Sequence, residues 1–318
     1  MKKKLVFAAL AFSATLFCAC DSSSSSSPDV EFSSSGTTPI GFDQSSSAMS
    51  SGAMSSGALL SSSSMDASFA ASSSSSDGSV LNNSSSSGSA LPAANLVPDE
   101  NGFVDIQAVY RSLQPNEKAV FAVRHGERDI FVTKESELTE DGVLQAQMVG
   151  RKLVGEDEFH YTFSDYVRTE ATCRNIAIGR GQASFPFDSS DIYTGSWFVS
   201  NQLLFEEYAK SPSSSNMVVS EWSYLGLHAD AFYDFTARNE EMLNFFIGDY
   251  ATAPRVKMVC SHDDFLVPII VYVTNKAANV RVYENGNWLN YVAGVAVIQN
   301  DAGQRRYYAI KGLDSGIK

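Results

Sequence analysis

The apolar run at residues 119–123 stops abruptly at Arg124 and His125, and Gly126, Glu127 and Arg128 follow at once. A short apolar run of this kind reads as a strand buried on both faces, as in a parallel sheet covered by helices. Ligands of such sheets bind beyond the carboxyl ends of the strands. A strand that delivers Arg, His, Gly and a second Arg to that edge delivers a site for an anion. Guanidinium groups are planar, permanently charged donors suited to phosphate oxygens. Gly126 lets the backbone come close to a ligand. Among these residues His125 is the candidate nucleophile, because a neutral imidazole can attack phosphorus and carry the group covalently.

A second stretch repeats the arrangement. Residues 256–260 form another buried strand-like run, followed by Ser261, His262, Asp263, Asp264 and an apolar helix. Between the two, Thr139 is a candidate N-cap with Glu140 and Asp141 at the positive end of the helix dipole. Val143, Gln147, Gly150 and Val154 then follow near-helical spacing. A short strand at 161–163 runs through Ser164 and Asp165 into a helix ending near Gly179, with Arg168 in its first turn. A helix N-terminus is itself favourable for anions. Asp105 caps a short helix that ends before Gln114 and Pro115, and residues 235–250 read as another helix. The tail reads as a β-hairpin, with strands at 292–298 and 306–310 around a turn at 301–303. The expected class is α/β: a mostly parallel central sheet flanked by helices on both faces, a helical or irregular cap insertion at about 182–253, and a C-terminal hairpin.

The Arg124-His125-Gly126-Glu127 segment resembles the signature of the histidine phosphatase superfamily. Residues 138–153 look like that family's LTxxGxxQAxxxGxxL helix, and 164–173 like its S-x-x-x-R-T-x-x-T-A segment, with Cys173 in place of the final Ala. The resemblance implies a phosphohistidine mechanism on His125. It implies phosphate-binding roles for Arg124, Arg128 and Arg168, and a second active-site histidine at His262. Arg128 and the His262-Asp263 pair are similar to the acid-phosphatase branch, which implies Asp263 as proton donor. In the mutase-like branch the acid is a Glu from an intervening segment, and Glu221 is the reserve candidate. Its neighbours in the insertion, Glu206, Glu207 and His228, read first as solvated groups. No cofactor is implied and no metal-ligand spacing appears. The expected activity is metal-independent hydrolysis of a small phosphorylated substrate. A phospho-ligand binder without turnover and a phosphoglycerate mutase-like transferase are the alternatives.

The 318 residues are not of one kind. Lys2, Lys3 and Lys4 precede an apolar run of about 15 residues, short of the about 20 that span a bilayer, so residues 1–20 read as a secretory signal peptide. Phe17-Cys18-Ala19-Cys20 resembles a bacterial lipobox, which implies cleavage before Cys20 and lipidation there; ordinary cleavage without lipid is the plainer alternative. Residues 21–96 are dominated by serine and cannot bury enough surface to offset ordering entropy. As a disordered tether, a tract of this length spans about 45–50 Å. Residues 97–318 suit one large domain. The expected location is the cell envelope, lipid-anchored to a membrane and facing periplasm or exterior. A formal net charge of -13 argues against nucleic acid as a partner. Against that background the cluster at Arg124, His125 and Arg128 is a local cationic site. Cys173 and Cys260 read as small buried apolar residues, with a disulfide the alternative in an oxidising compartment.

Overall fold

A computed structural model describes residues 96–129 and 133–318. The signal peptide, Cys20 and nearly all of the serine tract lie outside the described residues.

Strand β1 (Phe103–Asp105) leads directly into helix α1 (Ile106–Arg111), whose N-cap is Asp105, accepting from Gln107 N at 2.8 Å. Then follow β2 (Glu117–Arg124), α2 (Glu140–Lys152), β3 (Phe159–Phe163), α3 (Val167–Arg180) and β4 (Phe187–Ser189). Helices α4 (Gln202–Tyr208), α5 (Ser215–Leu225) and α6 (Phe235–Ile247) precede β5 (Val256–Ser261) and α7 (Asp263–Val273). The chain closes with α8 (Val282–Asn285), β6 (Gly294–Asn300) and β7 (Arg305–Lys311). No helix among the described residues is long and apolar enough to cross a membrane.

The seven strands form one sheet in the order β1-β7-β6-β2-β5-β3-β4. Among them β6 alone runs against the rest, pairing antiparallel with both β2 and β7. The hairpin therefore completes the central sheet, beside the strand that carries His125. Alternate residues of β2 face opposite cores. Ala119, Phe121 and Val123 pack with α1, α2 and α3, while Val120 and Ala122 pack with α5, α6 and α7. Helix α7 is buried from Phe265 to Val271, as its uninterrupted apolar sequence requires.

Two helical features differ from the spacing-based expectation, for one reason. The buried stripe of α2 is Gly142, Ala146, Val149 and Gly150, whereas Val154 is 62% exposed. Close backbone approach selects small residues here. A Cβ on Gly150 would lie 2.2 Å from Ile176 O of α3, and one on Gly179 would lie 2.2 Å from Gln147 O of α2. Gly179 is thus a contact residue inside α3, which runs on to Arg180. Gly181, at φ 76°, makes the left-handed cap. The expected insertion also gives one strand, β4, to the sheet edge, paired with β3. Cys173 and Cys260 are both buried and not joined by a disulfide.

Replacing Gly150 with Ala forces α2 and α3 apart. Thermal or urea unfolding is expected to show a loss of about 1–3 kcal/mol; an unchanged midpoint would contradict the close contact.

Candidate active site

Parallel pairing of β2 with β5 sets the site. Arg124 lies opposite Ser261, and His125 N extends the ladder by donating to Ser261 O at 2.9 Å. The residues just beyond the two strand ends are therefore His125 and His262. Their ring centroids are 5.5 Å apart and both are nearly fully buried. Strand β3, on the other side of β5, ends at Phe163, and the next residue, Ser164, donates its N–H to Cys260 O at 3.1 Å. Three residues beyond Asp165, Arg168 enters from the first turn of α3.

The loop after β2 is fixed by its own amides. Gly126 N donates to Thr172 Oγ1 and Glu127 N to Gln145 Oε1, both at 3.0 Å. A Cβ on Gly142 would lie 2.0 Å from Glu127 O, and one on Gly126 would lie 2.5 Å from Gly142 O. The helix after the signature thus serves as a backstop against which the loop is seated glycine to glycine.

Both imidazoles are held in defined states. His125 Nδ1 is 2.7 Å from Gly126 O. A carbonyl can only accept, so Nδ1 carries the hydrogen and Nε2 keeps its lone pair. Burial, and next the Arg124 charge, push His125 well below the usual imidazole range. Burial and Arg168 lower His262 to about 3. Arg168 Nη2 lies 3.4 Å from His262 Nδ1, and His262 Nε2 lies 2.8 Å from Ser164 Oγ. Ser164 Oγ also meets Thr169 Oγ1 at 3.0 Å, whose hydroxyl lies within donating distance of Ser164 O at 2.6 Å and Tyr166 O at 2.8 Å. Tyr166 places its ring 4.6 Å from that of His262, and the Arg168 guanidinium lies 4.5 Å from the Tyr166 centroid.

Arg124 is wedged at the rear, 7% exposed, with Nη2 2.8 Å from Asp263 Oδ2 and Nη1 donating to Leu289 O. Arg168 Nη1 donates to Thr133 O at 2.7 Å. Arg128 sits at the rim, donating to Asp129 O at 2.7 Å, and its charge reaches Arg168 and His262. Burial alone would lift the Asp263 carboxyl. Arg124 and a 2.7 Å hydrogen bond from Trp288 Nε1 outweigh it and hold Asp263 well below the usual carboxylate range. The neighbouring Asp264 goes the other way: burial and the Asp263 charge raise it to about 7. With Asp263 ionised and both histidines neutral, the three arginines leave a cationic pocket in an acidic chain. No group of three or more His, Cys, Asp or Glu side chains among the described residues is set to hold a metal ion.

The structure thus brings together His125, His262, Arg124, Arg168 and Asp263, with Arg128 at the edge. It does not bring Glu221. That carboxylate turns to His228 Nε2 at 2.8 Å, because α5 buries Trp222 and Ser220 and leaves Glu221 on its outer side. Glu206 and Glu207 pair locally with Gln202 and Lys210. Sequence reasoning missed Trp288 and Tyr291. Tyr291 lies 6.1 Å from the His125 ring and 4.6 Å from the Arg124 guanidinium. Both rings come from the coil before β6, where no periodicity marks them. Ser164 and Thr169 stood inside a recognised motif, and their hydrogen-bonding side chains were the available signal.

The family model described as histidine phosphatase superfamily (branch 1) matches residues 120–280, which take in His125, Arg168 and His262. Among solved structures, the chain is similar to a phosphoglycerate mutase from Bacillus anthracis at 14% identity. That match covers 62% of this chain and 93% of the other, with a TM-score of 0.45. It is similar to a mycobacterial glucosyl-3-phosphoglycerate phosphatase at 14% identity, covering 61% and 97%, with a TM-score of 0.39. A third is the protein histidine phosphatase SixA complexed with tungstate, at 14% identity over 60% and 97%, with a TM-score of 0.35. No curated protein sequence matches the chain.

The buried imidazoles make stability depend on pH. Between pH 6.5 and about 4 the unfolded chain binds protons that folded His125 and His262 do not, so stability falls as pH falls. Each contributes about 1.4 kcal/mol per pH unit. Asp264 opposes them, because it holds a proton in the folded state up to about pH 7 that it loses when unfolded. Two against one leaves a net slope of about 1.4 kcal/mol per pH unit. Urea titrations at several pH values should show it, and His262→Gln should bring it close to zero. A wild-type slope of zero or of opposite sign would contradict neutral burial.

Proposed function

The chain belongs to the histidine phosphatase superfamily, and from that premise we propose that it is a phosphomonoester hydrolase working through a phosphohistidine on His125. The observation that carries this reading is the pair of neutral imidazoles at neighbouring strand ends, 5.5 Å apart and flanked by guanidinium groups. Phosphoryl transfer asks mainly for positioning and charge stabilisation. Arg124, Arg128 and Arg168 supply fixed positive charge around the phosphoryl oxygens. His262 stands beside them and steers Arg168. Ser164 Oγ can donate as well as accept. A guanidinium can only donate, so His262 Nδ1 accepts from Arg168 and Nε2–H donates to Ser164 Oγ.

His125 Nε2 attacks phosphorus in line while Gly126 O holds Nδ1–H. The phosphorus–oxygen bond to the leaving group breaks, and Asp263 gives that oxygen a proton. Arg124 and Trp288 keep Asp263 ionised before substrate binds. Entry of a phosphate dianion adds negative charge beside it and draws on Arg124; both effects raise its proton affinity, and it takes up a proton from solvent before the transfer. Water then attacks the phosphohistidine, gives its proton to Asp263, and orthophosphate leaves. The His–Asp pair of this step follows the acid-phosphatase resemblance. The superfamily includes mutases as well as phosphatases, and Asp263 is the carboxylate paired with Arg124 at that side of the pocket.

At the N-terminus the lipobox-like Cys20 supports a lipid anchor in the cell envelope, with the serine tract as spacer. Cys20→Ser should move the chain from the membrane fraction to the soluble fraction of expressing bacteria; an unchanged distribution would remove the anchor.

The hydrolase reading is tested by acid-free quench of the purified full chain with a 32P-labelled phosphate ester. A base-stable, acid-labile phosphoenzyme should form within one turnover, and His125→Asn should abolish it and lower kcat by at least about a thousandfold. Binding without release of phosphate would make the chain a phospho-ligand binder. Hydrolysis unchanged in His125→Asn would refute the nucleophile.

A further inference from the structure

Residues 288–292 wall the pocket on the His125 side, and their backbone is fixed from two directions. Val292 N donates to Arg124 O at 3.1 Å, and Arg124 N donates to Ala293 O at 2.8 Å. On the far side, Trp288 and Lys318 exchange both main-chain hydrogen bonds, at 3.1 and 2.9 Å. Leu289 and Ile317 form an antiparallel bridge, and Asn290 N donates to Gly316 O at 2.9 Å. This clip carries the last residues of the chain to the rim of the site.

Its consequence is the position of Lys318. The ammonium lies 3.8 Å from the centroid of Tyr291, the ring that also stands 6.1 Å from His125. Lys318 Nζ is thus within about 10 Å of the nucleophile's ring, about one Debye length at 0.1 M salt. It has no ion pair among the described residues, whereas Arg124 nearby is already matched by Asp263. The tyrosine ring holds the ammonium without neutralising it, since a cation–π contact leaves the charge intact. The reacting phosphoryl group is served by three arginines. Lys318 is a further cation on the adjoining wall, with its main-chain oxygen turned to Trp288 N.

We propose that Lys318, clipped over Tyr291 beside the phosphoryl pocket, binds a second anionic group of the substrate. The preferred substrates are then small phosphate monoesters that carry a carboxylate or a second phosphate within about 10 Å of the scissile one. This rests on the hydrolase reading above. Tyr291 acts as a positioning residue, setting where the ammonium stands relative to His125.

The test compares the full chain with Lys318→Met and Lys318→Arg on three matched esters: phenyl phosphate, a carboxyphenyl phosphate and a phenylene bisphosphate. The two doubly anionic esters should be preferred by the native chain. Lys318→Met should lower their kcat/KM about fivefold, chiefly through KM, the size expected of one exposed ion pair. Phenyl phosphate should change less than about twofold, and Lys318→Arg should restore the preference. The two anionic arms show which group is taken. Turnover of phenyl phosphate with no preference, or an equal loss on all three esters in Lys318→Met, overturns the subsite and leaves the hydrolase standing. No turnover of any ester by the native chain overturns both.

Discussion

The register between β2 and β5 is the constraint on which everything else depends. Arg124 opposite Ser261 makes His125 and His262 the first residues past two adjacent parallel strand ends. A slip of one residue would turn alternate side chains to the other face of the sheet. It would send Val120 and Ala122 toward α2 and α3 and separate the imidazoles. The register is secured by burial on both faces: Phe121 and Val123 on one side, Ala122 and Val259 on the other. The core thus sets the chemistry by setting the pairing.

Burial also decides the charge state of the site. Two imidazoles next to guanidinium groups in a nearly closed pocket are cheaper neutral than charged, and a neutral ring is what a nucleophile needs. Gly126 O and the Ser164–Thr169 hydroxyls satisfy the ring hydrogens that burial would otherwise strand. Asp263 and Asp264, adjacent in sequence, are driven apart by one difference. Asp263 pairs directly with the Arg124 guanidinium and the Trp288 indole; Asp264 makes neither contact, and burial and the Asp263 charge outweigh the pull of Arg124 on it.

Local signals made much of this legible in the sequence. Asp105 and Thr139 cap their helices where capping chemistry says, and the two strand runs end where polarity returns. The sequence sets Arg168 in the first turn of the helix that follows Ser164 and Asp165, and the structure puts it there. What was not legible depends on tertiary partners. The buried stripe of α2 departs from the apolar spacing because glycine at a helix–helix contact carries no hydrophobic signal. Glu221 was eligible by composition, but which side of α5 faces the core is settled by Trp222. Trp288, Tyr291 and Lys318 meet only because the hairpin is drawn beside β2, a pairing between residues far apart in the chain.

The central claim is that both histidines serve one anion. A crystal structure of the full chain with orthovanadate tests it most directly. The account predicts vanadium bonded to His125 Nε2, with its oxygens in hydrogen-bond reach of Arg168 and His262. Vanadate bound elsewhere, or at His262 with His125 turned away, would contradict it.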